Sequence, residues 1–262
     1  MRAALYILFV LFASQQLLAQ EAQIPDNPLF PNPRPKRIFI GPIVGYNSNF
    51  HTGDFQTLGN AAYATSADCG SFTTGGGNGF LAGLAAEYWF KPGGATALQV
   101  RVYYEQKPGN FDNTGAPLTY FDTVTATPIQ FSRNYHVQAK YNLINLEITY
   151  KYDIPGLPHF GVEIGPKFGF LMSSQYYQYQ DIPTPGFVFQ ATGTNKQDLV
   201  PAQNIPQASS FRFGLKGGLQ YEALLGPVLV TPAIWYDLGV TKVVNSWGVN
   251  SLAGSIEFKY GF

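Results

Sequence analysis

Three histidines, His51, His136 and His159, are the side chains of this 262-residue chain best suited to moving a proton. His51 stands three residues before Asp54, and His136 three after Arg133; Ser48, Ser132 and Ser209 offer hydroxyls on connections at the same rim. An imidazole oriented by an acid and facing a hydroxyl is the centre of a hydrolase or acyltransferase. The nucleophile turn G-x-S-x-G is missing from the sequence, and no pair of ligand residues has metal spacing. No catalytic residue, cofactor or metal is therefore expected: His51 and His136 read as solvated loop histidines, and His159 as a residue beside a tight turn. Gly75-Gly76-Gly77-Asn78-Gly79 has no Lys-Ser/Thr after it and runs into a strand pattern. It reads as flexible loop and not as a phosphate cradle. Cys69, the single cysteine, reads as a free thiol in that loop and excludes an intrachain disulfide.

The elements that would carry these residues are strands. Residues 251–262 alternate strictly: Leu252, Ile256, Phe258, Tyr260 and Phe262 share one face, and Ser251, Ala253, Ser255, Glu257 and Lys259 the other. A side-chain period of two is that of a strand. The pattern recurs in seven earlier segments, 37–47, 80–90, 96–106, 139–152, 158–172, 211–222 and 228–238. Each is close to the ~9–11 residues with which a tilted strand crosses a bilayer. Their connections alternate. Residues 91–95, 153–157 and 223–227 are short and rich in Pro and Gly, whereas 48–79, 107–138 and 173–210 are long and 239–250 intermediate. Tight turns on one rim and long loops on the other are how outer-membrane barrels are built.

The second face of these strands decides between a membrane barrel and a soluble one. Opposite the apolar residues stand Arg37, Glu87, Arg101, Glu105, Glu147, Lys151, Glu163, Lys167, Arg212, Lys216, Glu222, Asp237, Glu257 and Lys259. On the outside of a lipocalin-like carrier these charges would need no pairing. Inside a narrow lumen they must match, because a buried charge is tolerated only with a partner. Seven cations face seven anions, which favours the lumen. Aromatics at the strand ends agree with it: Tyr88, Phe90, Tyr150, Tyr152, Tyr221, Tyr260 and Phe262 at one edge, and Tyr46, Tyr104, Phe170 and Tyr236 towards the other. Two such girdles belong at the two membrane interfaces. Eight strands leave an interior that side chains fill, so a lumen plugged by ion pairs is expected, with Trp89, Tyr103 and Trp235 among them.

Composition agrees. Charged residues are 12% against 16% aromatic, with 28 Gly and 19 Pro, a poor recipe for long helices. The formal net charge is zero, so no nucleic-acid partner is expected. Met1-Arg2 and the apolar run 3–13 resemble a signal peptide, with cleavage after Ala19. No Cys follows the run to take a lipid anchor. Five prolines in 24–36 fix φ and remove donors, which makes 20–36 an extended tether.

The export signal, the eight two-faced strands, the alternating connections and the ending Phe258-Lys259-Tyr260-Gly261-Phe262 resemble the OmpA/OmpX-like outer-membrane β-barrel family of Gram-negative bacteria. The resemblance implies an all-β, eight-stranded, antiparallel up-and-down transmembrane β-barrel over 37–262, with both mature termini in the periplasm and outer-membrane lipids around it. It also implies that the barrel-assembly machinery recognises the last strand through Ile256, Phe258, Tyr260 and Phe262. Two-domain members continue into a peptidoglycan-binding domain; this chain ends at the barrel, so no cell-wall tether is expected. The scaffold does not fix an activity. A plugged, non-enzymatic structural or interaction barrel is the expectation. Its long loops, with Phe111, Tyr120, Phe121 and the run Tyr176-Tyr177-Gln178-Tyr179-Gln180, suit a surface protein or glycan. The alternatives are a small-solute pore, a rim enzyme acting on lipid or peptide, and, with the faces inverted, a soluble carrier.

Overall fold

A computed structural model describes residues 36–56, 71–121, 127–244 and 246–262. The expected signal peptide (1–19), nearly all of the tether (20–36) and Cys69 lie outside the described residues. Among the described residues thirteen strands follow one another: β1 Ile38–Phe55, β2 Phe72–Trp89, β3 Thr96–Gln106, β4 Gly109–Thr114, β5 Leu118–Phe121, β6 Pro128–Phe131, β7 Asn134–Asp153, β8 Phe160–Asp181, β9 Lys196–Asn204, β10 Phe211–Tyr221, β11 Ala223–Leu225, β12 Val228–Gly239 and β13 Gly248–Gly261.

Eight of them close a ring. β1 pairs with β2, β2 with β3, β3 with β7 and β7 with β8, all antiparallel. β8 then pairs with β10, β10 with β12, β12 with β13, and β13 returns to β1. Every backbone donor and acceptor of the wall thus has a neighbouring strand to pair with, the condition for a sheet without edges. The turns at one end are tight, with left-handed Gly93, Gly156 and Gly226 supplying the positive φ that L side chains resist. His159 also takes a positive φ of 71° in the β7–β8 turn and packs on Tyr221, in keeping with its reading as a turn residue.

At the other end four staves outrun the repeat. β1 and β2 have 18 residues each, β7 has 20 and β8 has 22, whereas β3 and β10 have 11. β4 prolongs β3 beyond Pro108 and pairs with both β2 and β7, while β9 pairs with β8. The expected long loops are therefore largely strand. Gly75–Gly79 is not a flexible loop: it lies within β2, paired with β1. Glycine suits the position because a Cβ on Gly75 would come within 2.6 Å of the Phe111 ring. Phe111 lies in β4, and Tyr176–Gln180 lies in β8.

The outer wall is apolar in the ring of eight. Ile40, Val44, Leu84, Val102, Ile148, Ile164, Leu215, Ile234 and Phe258 all point outward and are exposed. Rings meet at both edges of this band: Tyr88 and Phe90, Phe160 and Tyr221, Tyr260 and Phe262 at the turn end, and Phe80 with Tyr104 and Phe170 with Phe211 at the other.

Candidate functional site

Alternate positions of the same staves point inward, and they bring the chain's charges together. Among the described residues the buried cations are Arg101, Lys107, Lys151, Lys167, Arg212, Lys216 and Lys259, and the buried anions are Glu87, Glu105, Glu147, Glu163, Glu222, Asp237 and Glu257. Thirteen of the fourteen expected lumen residues are in this set. Arg37 is not: β1 begins at Ile38, so Arg37 precedes the wall and its side chain is exposed. Lys107 takes its place in the balance. Sequence reading left it in the 107–138 connection, although it continues the inward parity of Arg101, Tyr103 and Glu105.

The pairs stack in three levels. Nearest the turns, Lys151 meets Glu222 and lies 3.3 Å from Glu87, and Lys259 binds Glu87 and, at 2.7 Å, Glu257. The Lys151 ammonium rests 4.0 Å from the Trp89 ring centre, where the π face favours a cation. At mid-barrel the Arg101 fork reaches Glu257 at 2.6 Å and Glu163 at 2.7 Å, with Glu147 at 3.5 Å. Lys216 bridges Glu147 and Glu163 over the Trp235 ring, and the Tyr103 hydroxyl donates to Glu147. The third level holds Lys167 and Lys107, each bridging Glu105 and Asp237, with Arg212 on Asp237 at 2.9 Å. Neutral groups complete the mesh, Asn47 and Asn145 donating to Glu105 and Gln99 to Glu87 and Gln220. These amides escaped sequence reading because an inward Asn or Gln carries no charge to balance.

Above the third level the interior changes character. Phe55, Phe72, Phe111, Tyr135, Val137, Tyr141, Leu143, Tyr176, Val243 and Trp247 form one apolar cluster. Apart from exposed Phe50, outward positions beside it are largely polar, as at Ser48, Asn78, Asn110, Gln138 and Lys140. On β7 the inward apolar residues 135–143 are odd-numbered, whereas the outward apolar residues 144–152 are even-numbered, so the apolar face swaps between Leu143 and Ile144. The swap lies just beyond the rings of Tyr46, Phe80 and Tyr104. The apolar band below it is the bilayer-facing segment, and the strands above it stand in water.

Both loop histidines belong to this upper part and not to solvated loops. His51 is buried: its Nδ1 accepts from the Trp247 indole at 2.9 Å, and its Nε2 donates to the Pro108 carbonyl at 2.8 Å. His136 sits on β7 between Asp112 of β4 and Asp181 of β8, 2.5 Å from each, stacked on Tyr179. Among the described residues, neither Asp54 nor a serine is a partner of these two rings.

A closed eight-stranded ring, apolar outward and ionic inward between two aromatic girdles, defines a transmembrane β-barrel. Residues 19–245 match the outer membrane protein beta-barrel domain family, and the chain belongs to that family. It is accordingly an outer-membrane protein. Among solved structures it is similar to Ail of Yersinia pestis (9% identity, 86% of this chain and 99% of that one, TM-score 0.34). Neisserial surface protein A (13%, 86% and 97%, 0.34) and the outer membrane protease OmpT of Escherichia coli (9%, 87% and 97%, 0.29) are similar at the same distant level. No curated protein sequence matches the chain.

Proposed function

We propose that this protein is a sealed, non-enzymatic outer-membrane barrel whose ring anchors a folded extension that contacts a surface protein or glycan outside the cell. The three ionic levels beneath an apolar cap carry this reading. Each buried charge contacts an opposite charge from another stave, so a passing solute would have to break several pairs at once. Against a catalytic rim stands the setting of His136: both ring nitrogens face carboxylates, which leaves neither one free for a hydroxyl nucleophile. The contact role rests on the far end, where Tyr120, Phe121 and Val188 are exposed and Phe131 stacks on Phe187. Aromatic side chains of this kind give large contact area at low entropy cost. Recognition of the last strand by the barrel-assembly machinery is part of the same proposal.

Planar-bilayer recording tests the seal. The refolded full chain is expected to give no steady unit conductance; reproducible channel steps would refute the plugged lumen and favour a pore.

A further inference from the structure

Among the buried titratable groups, His51 has no part in the ionic mesh. It stands on β1 five residues beyond Tyr46, above the apolar band and within the water-facing extension. The indole N–H of Trp247 is a donor only, so the ring nitrogen that receives it, Nδ1, must be unprotonated. The Pro108 carbonyl is an acceptor only, so Nε2 must carry the hydrogen. The two contacts therefore fix one neutral tautomer. Gly109 leaves room for the ring, since a Cβ there would stand 2.9 Å from Nε2.

Trp247 is the inward anchor of the β12–β13 connection. It is fully buried and packs at 5.5 Å on Phe111 and 6.0 Å on Phe55. Its backbone is tied to Val243 and Val244, and Val243 in turn accepts from Ser209 at 2.8 Å. One hydrogen bond to one imidazole thus helps hold a whole connection in the barrel mouth.

We propose that His51 and Trp247 form an acid-released latch, closed while the imidazole is neutral and opened when it takes a proton at Nδ1. Protonation sets N–H against N–H across the contact. Against the ring pack Phe111 of β4 and Trp247 of the β12–β13 connection. The charged groups facing it are Lys107, at the end of β3, and Arg212, on β10. Both are cations, and both already hold Asp237. A charge on His51 would be the third cation here and meets repulsion from the other two.

Burial pushes the His51 imidazole down from 6.5 to about 4; the Pro108 bond opposes the fall, and Lys107 and Arg212 add to it. The sign follows. A released imidazole binds its proton more readily than a latched one, so the latch is at full strength above 6.5. It weakens tenfold per pH unit between 6.5 and 4, roughly 300-fold in all. The two levels nearest the turns, around Arg101 and Lys151, do not face His51, so release bares the aromatic mouth without opening a channel.

The full chain, labelled with 5-fluorotryptophan and refolded in micelles, tests this from pH 8 to 3.5. Trp247 is assigned as the ¹⁹F resonance lost in Trp247→Phe. Its resonance is expected to move in one step well below pH 6, while those of Trp89 and Trp235 hold still. His51→Gln supplies an amide oxygen and N–H in similar places and does not titrate, so it should keep the neutral-pH position throughout. His51→Leu should give the released position at every pH. A Trp247 signal that stays fixed to pH 3.5, or that steps equally in His51→Gln, overturns the latch. Should the variants fail to assemble, ¹⁵N imidazole shifts of the wild-type chain decide. One histidine must remain the Nε2–H tautomer below pH 6, and three histidines charging together near their ordinary value would refute the proposal.

Discussion

Replacing Arg101 by Met removes the cation at the middle of the barrel. The guanidinium lies 2.6 Å from Glu257, 2.7 Å from Glu163 and 3.5 Å from Glu147, and all four side chains are buried. After the change, Lys216 still serves Glu147 and Glu163, while Lys259 must serve Glu257 and Glu87 together. Four carboxylates then share two ammonium groups and what reaches them from Lys151, so one buried negative charge is left over. Breaking a buried pair from one side costs about 3–5 kcal/mol, chiefly the desolvation of the stranded partner. That is roughly two to four powers of ten in the folding equilibrium. Urea titration of the barrel refolded in lipid vesicles, read by heat-modifiable mobility, measures the loss. The double change Arg101→Met with Glu257→Gln removes the surplus charge and should recover about 1–3 kcal/mol, the size of coupling expected between contacting residues. Arg101→Lys keeps the charge but not the fork that reaches two carboxylates at once, and should fall between the two. If Arg101→Met stays within about 1 kcal/mol of wild type, or the double change is worse than the single one, the interior is not held by matched charge.

The outward face is tested at Leu84, which is 62% exposed and lies midway between Phe80 and Tyr88 on β2. Leu84→Arg should cost about 2–4 kcal/mol in the same titration, and Asn78→Arg, above the girdle, close to nothing; equal costs would misplace the bilayer. At the end of the chain, the Phe262 N–H donates to Ile38 at 2.9 Å and its ring meets Tyr260. Deleting Phe262 should lower the assembled, heat-modifiable fraction in cells while refolding of the purified chain changes little. An undiminished fraction in cells would remove the assembly role from this residue.

Legibility followed the parity of the strands. β3 is found at the expected bounds because Leu98, Val100, Val102 and Tyr104 alternate without interruption against Arg101 and Glu105. β7 was expected from residue 139 but begins at Asn134. Its upper residues, Tyr135, Val137, Ala139 and Tyr141, are apolar on the opposite parity, and a search for one continuous outward face reads such a swap as loop. On β8 the register shift opposite Asn142 and Leu143 breaks the alternation further. Arg37 shows the converse error: parity assigns a face only where a strand exists, and at its terminus the long side chain reaches water. The environments of His51 and His136 had no local signal at all. Their partners, Trp247 and Pro108 for one and Asp112 and Asp181 for the other, are brought in by the ring closure and by β4, which lie far away in sequence.

The swap of faces follows from what each half of the wall can gain. In the bilayer segment the outer face meets hydrocarbon, so moving an apolar side chain inward would gain nothing from leaving water. The interior there is free to be polar provided its charges match, which the pairs around Arg101 and Glu105 achieve. Beyond Tyr46 and Tyr104 the outer face meets water. Burial of apolar area now becomes the main favourable term, and it can be collected only inside. Hence Phe55, Phe111, Tyr141 and Trp247 turn inward there, and Ser48, Asn78 and Lys140 turn outward. The two halves share strands but fill their interiors differently, with matched charges set among buried apolar residues such as Ile43, Leu81 and Trp235 below and one apolar cluster above. Under the proposed latch, acid loosens the upper core through His51 and leaves the ion pairs around Arg101 beneath it in place.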